Sequence, residues 1–114
     1  MSDVAILRRA ANLLRERATG ATPGPWEGYA RLPVVLAPRE EWDLGEGRQR
    51  IAHMCMPYRE ERKWANAAYI TLMHPPVALA LADWLDDEAA RGLGRPDNVA
   101  AYAVARAVLR EAGE

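Results

Sequence analysis

The side chains best equipped for chemistry are few. His53, Cys55 and His74 are the soft metal ligands apart from the thioethers. Zinc needs three or four ligands converging on one point. No CxxC pair and no HExxH stretch supplies that convergence, so no metal and no cofactor is expected. His53 and Cys55, two apart on an extended strand, share a face. A nucleophile–base pair also needs an orienting third group and an oxyanion site, and the sequence signals neither. Ser2 is the only serine. The carboxylate pairs Glu40/Glu41, Glu60/Glu61 and Asp86/Asp87 are adjacent residues, which point apart on any regular element and suit solvated charge better than acid–base work. Gly24, Gly45, Gly47, Gly92 and Gly94 match no phosphate-cradling pattern. The expectation is a protein without a catalytic residue.

A polar-aromatic set remains: Trp26, Arg50, Trp64, Asn66 and Tyr69. Indoles, an amide and a guanidinium could stack a planar ligand, bond its edge and pair its phosphate. The competing reading is structural. An asparagine inside an alanine-rich helix competes for backbone hydrogen bonds. If buried, its amide must be satisfied, and the bend carrying Trp26 is the expected partner. On that reading Asn66→Ala should cost about 1–3 kcal/mol.

These residues need elements to position them. Val4, Leu7, Ala11, Leu14 and Ala18 recur at helical spacing, with Ile6, Ala10 and Leu13 widening the stripe, so a helix is expected over 3–18, capped by Ser2 or Asp3 and stopped at Gly20. Arg8, Arg9, Arg15 and Arg17 fall outside its central stripe and read as a solvated face. Thr22-Pro23-Gly24-Pro25-Trp26 reads as an ordered turn, with Gly24 giving freedom between two fixed prolines. Residues 27–57 read as β-rich. Pro33 marks an edge or a strand start, residues 39–48 a connection with Trp42 and Leu44 tucking back, and Arg50 to Met56 the best strand, apolar enough on both faces for a central place. Helices follow at about 60–73, 77–89 and 98–112, the second led by Pro75-Pro76 and the third capped by Asp97. In the second, Val77, Ala80, Leu81, Trp84, Leu85 and Ala89 are expected inside. Asp83, Asp86, Asp87 and Glu88 are expected in water, fraying the end against the helix dipole. His74 is expected to cap one of the helices that meet at the prolines. The fold class is α+β in a single domain: an N-terminal helix, a small antiparallel sheet and three C-terminal helices.

Composition narrows the function. With 114 residues, net charge −1, pI about 6.1 and 27% charged residues, the chain is an ordinary folded domain. It is not a uniformly basic nucleic-acid binder, so nucleic acid is disfavoured as a partner. A single cysteine fits a reducing, cytoplasmic compartment. No basic start followed by an apolar run suggests a signal peptide, and Asp83, Asp86 and Asp87 interrupt the longest apolar run, so no membrane partner is expected. Helix 98–112 is apolar on most sides, and its alanines permit close approach, so a homodimer or higher oligomer through it is expected.

The pair Ala21-Thr22-Pro23-Gly24-Pro25-Trp26 and Asn66-Ala67-Ala68-Tyr69-Ile70, with prolines soon after, resembles small phage, prophage and actinobacterial accessory proteins with an ATPGPW … NAxYIA … Pro-led helix pattern. The resemblance spans about residues 10 to 90. Thr71 stands where that pattern has alanine, and His74-Pro75-Pro76 where a single proline follows asparagine or aspartate. It implies an accessory origin and brings no catalytic residue; Trp26, Asn66 and Tyr69 carry over as motif positions. The expected function is non-enzymatic binding, with sequestration of a small nucleotide-like anion as its concrete form. The alternative is an inhibitor or adaptor of a host protein, acting through the first helix or the acidic 83–88 surface. A nucleic-acid-associated regulator comes behind both.

Overall fold

The computed structural model describes residues 2–29, 32–38, 49–54, 60–92, 98–111 and 113. Its elements are α1 (Asp3–Gly20), β1 (Glu27–Gly28), β2 (Val34–Leu36), β3 (Arg50–His53), α2 (Glu60–Leu72), α3 (Pro75–Arg91) and α4 (Asn98–Glu111). The α+β reading holds, with an N-terminal helix, a three-stranded antiparallel sheet and then helices. The expectations for Trp42, Leu44, Cys55, Met56 and Asp97 lie outside the described residues. The chain divides into two compact units: Met1–Gly20 with Ala78–Glu114, and Ala21–Val77.

The first unit is helical. Ser2 caps α1: its hydroxyl accepts from the Ala5 amide at 3.2 Å and its carbonyl from the Ile6 amide at 3.0 Å. The apolar stripe of α1 goes inside as its spacing requires. Leu7, Ala10 and Ala11 join Ala82, Leu85 and Ala89 of α3 and Ala101, Ala105 and Leu109 of α4 in one buried cluster. The alanines of α4 therefore serve a close approach to α1 within the chain. Val99, Ala100, Ala103 and Ala107 stay exposed, beside Arg106 and Arg110.

The buried face of α3 differs from the expectation. Ala82, Leu85, Glu88 and Ala89 are buried, while Ala80 is exposed. Spacing explains the shift, because Glu88 lies three residues beyond Leu85 and so falls on the same stripe. One carboxylate oxygen of Glu88 meets Arg91 at 3.4 Å; the other, Oε2, has no hydrogen-bond partner among the described residues. The acids of α3 do not fray its end. Arg15 of α1 reaches Asp83 at 3.0 Å and Asp86 at 2.6 Å, and α3 continues to Arg91. The hydrogen bonds that Arg15 donates to Asp83 and then to Asp86 raise the pKa of its guanidinium above its ordinary value. So Arg15 is an interhelical tie rather than part of a solvated face. On α4, Arg106 stands 5.8 Å from the centroid of the Tyr102 ring. Burial first, then the nearby Asp3 carboxylate, pushes the Tyr102 phenol up.

In the second unit the strand order is β1-β2-β3, with both pairings antiparallel. The expectation of a central β3 is corrected: β2 holds the centre. Pro33 and Pro38 fall just outside its paired residues, so the missing amides cost the ladder nothing. Pro33 still contributes its carbonyl, which accepts from the Met54 amide at 2.9 Å. Val34 and Val35 are buried, whereas Arg50 and His53 of β3 are exposed. The β2–β3 register shifts between Val35 and Leu36, leaving Ile51 as the extra residue of a bulge. Helix α2 packs on β1 and β2. Its covered side is Lys63, Ala67, Ile70 and Thr71, a helical stripe with Ala67 buried.

Candidate functional site

The bend over residues 22–26 is built from its own bonds outward. The Gly24–Pro25 peptide is cis. The Trp26 indole N–H donates to the Thr22 carbonyl at 2.9 Å, which ties the ring back over the bend. The Trp26 backbone N–H donates to Nδ1 of His74 at 3.3 Å. His74 is the residue at which α2 gives way to α3: its carbonyl accepts from the Val77 amide at 3.0 Å, one turn into α3. Gly24 lies against the same junction. A Cβ at Gly24 would stand 2.7 Å from Cδ of Pro76 and 3.2 Å from Nδ1 of His74. Gly24 is therefore needed for a close approach, and the freedom assigned to it by sequence is not its main use.

His74, just past the end of α2, therefore holds the bend. Asn66 is exposed, so the premise of a buried amide does not hold. The signal that pointed to His74 was its place before two prolines. Downstream of the bend, β1 passes α2 at Thr71, whose hydroxyl donates to the Ala67 carbonyl at 2.8 Å.

The five candidate ligand-binding residues come from three places. Trp26 sits on the bend, half-buried, with its indole N–H already bonded. Arg50 opens β3 opposite Leu36 and is exposed. Trp64, Asn66 and Tyr69 all lie on α2 and are exposed. Helical geometry separates them: Asn66 and Tyr69 are about 60° apart around the axis, while Trp64 and Asn66 are about 160° apart. Asn66 and Tyr69 therefore form one side-by-side pair, and Trp64 shares the helix but not that side.

What sequence reasoning missed is the apolar exposure of α2. Tyr69 and Leu72 are each 65% exposed, Met73 41% and Trp64 39%. The signal was present, since Ala65, Tyr69 and Leu72 recur at helical spacing opposite Lys63, Ala67, Ile70 and Thr71. Two apolar stripes on one helix require two covers. Among the described residues, the sheet covers the stripe that holds Ala67. Among the described residues no group of three His, Cys, Asp or Glu side chains converges to hold a metal ion. No helix among them is long and apolar enough to cross a membrane. The chain matches no family model, and it matches no curated protein and no solved structure.

Proposed function

We propose that this chain is a non-enzymatic accessory binding protein of phage or prophage type, acting as an adaptor or inhibitor that docks a protein partner on the outward side of α2. The observation that carries the reading is the exposure of Tyr69 and Leu72 on α2 and of Met73 just past its end. Contiguous exposed apolar side chains mark interaction surfaces more often than isolated ones do. The motif pair of residues 21–26 and 66–70 supports the accessory assignment. The acidic surface 83–88 is a poorer docking face, because Asp83 and Asp86 are engaged by Arg15 and Glu88 is buried.

The test is affinity capture from bacterial lysate with the parent and with Leu72→Asp. A partner retained by the parent is expected to bind Leu72→Asp at least about thirtyfold more weakly, the loss of a hot-spot residue. Thermal stability should move by no more than about 0.5 kcal/mol, since Leu72 is largely exposed. Equal capture by the two proteins would remove the reading.

A second reading is a small nucleotide-like anion held by Asn66 and Tyr69. Their accessible side-by-side placement favours it. Sequestration at Trp26, Arg50, Trp64, Asn66 and Tyr69 predicts a raised melting temperature with one member of a panel of cyclic and linear nucleotides, and loss of that rise in Tyr69→Ala.

A further inference from the structure

We propose that His74 is a proton-operated latch: neutral, it holds the bend 22–26 on the α2–α3 junction, and protonated, it lets the bend go. The inference rests on the geometry of the junction and is independent of the proposed function.

The starting point is what a capping residue normally does. An N-cap side chain accepts from the amides of the second or third helical residue. Here the first two helical residues are Pro75 and Pro76, which have no N–H to offer. The third, Val77, donates its amide to the His74 carbonyl. The imidazole is thereby left without a local donor, and it takes one from 48 residues away, the Trp26 amide, at 3.3 Å in a half-buried setting.

That bond has a protonation state built into it. A neutral imidazole accepts at one nitrogen and donates at the other, whereas an imidazolium donates at both. Acceptance at Nδ1 places the proton on Nε2. Adding a second proton at Nδ1 sets two N–H groups against each other. Two donors cannot satisfy each other, so the bond is lost. The approach of Gly24 to within van der Waals contact of Pro76 and the imidazole leaves little room to rearrange without lifting the bend.

The bend 21–26, α2 from Trp64 onward and α3 as far as Ala82 carry no acidic or basic side chain besides His74. Glu27, exposed at the start of β1, is the nearest charge along the chain from Trp26. The other charges with described side chains in this unit are Arg50 and His53 on β3 and Arg62 and Lys63 in the first turn of α2. The sign follows from the acceptor role. An interaction that needs the neutral base is present above the imidazole titration range and is lost as pH falls through it.

The experiment is amide hydrogen exchange by NMR on the intact chain at pH 8 and pH 5, corrected for the intrinsic pH dependence, with the two imidazoles followed in the same samples. The Trp26 amide of the parent is expected to lose roughly tenfold of its protection at pH 5, the scale of one hydrogen bond. His74→Asn, which keeps an acceptor near the position of Nδ1 and does not titrate, should hold its protection at both pH values. Unchanged Trp26 protection in the parent while His74 titrates overturns the proposal. So does a loss in His74→Asn equal to that in the parent. The parent measurement decides even if the variant folds poorly.

Discussion

Leu85→Ala is expected to remove about 2–5 kcal/mol of stability. Leu85 is fully buried in a cluster whose other members are Leu7, Leu109 and six alanines. Truncation loses the transfer free energy of three carbons and leaves a hole. Alanine side chains have no rotamers with which to fill it, and helices already in close contact have little freedom to move inward. For a chain of this size the melting temperature should fall by about 10–20 °C. Thermal melting followed by far-ultraviolet circular dichroism measures it. Val99→Ala is the control: Val99 is 71% exposed on α4 and should change stability by less than about 0.5 kcal/mol. A Leu85→Ala melt within a few degrees of the parent would show that the cluster is not the core of the helical unit.

Gly24→Ala is expected to destabilise by about 1–3 kcal/mol through overpacking. The added methyl would sit 2.7 Å from Cδ and 3.1 Å from Cγ of Pro76, a distance that real Cβ atoms essentially never adopt. The obstacle is a proline ring, which cannot swing aside as a long side chain would. The bend must lift instead, and lifting it stretches the Trp26–His74 bond. The same variant should therefore expose the Trp26 amide to exchange at neutral pH. Gly20→Ala separates this close approach from any general effect of removing glycine: no heavy atom lies within 4 Å of a Cβ there and its φ is not positive. It should be neutral or stabilising by about 0.4–1 kcal/mol. Equal behaviour of the two variants would mean that the contact between Gly24 and Pro76 carries no weight.

Much of the fold was legible residue by residue. Ser2, the stripe of α1 and the pair Pro75-Pro76 each act within a turn or two of chain, so their effects were visible without neighbours. The place of β2 was harder. Its prolines suggested an edge, and only pairing on both sides showed that they sit beyond the ladder. The face of α3 was misjudged by treating Glu88 as solvated on charge alone, although three residues from Leu85 is a core position. At the candidate site, the type of Asn66 drew attention away from His74, because the sequence says which groups can bond but not which ones meet.

By itself the sequence determined that four helices form, about where each lies, and that a sheet lies between the first and the second. These follow from capping, from proline geometry and from periodicity, all of which are local. Only the tertiary structure decided that the bend closes on His74 and Pro76, that Asn66 faces outward with Tyr69, and that α2 keeps an apolar side uncovered. Those outcomes depend on which distant segments arrive at a given face, and covering one side of α2 with the sheet is what leaves the other open.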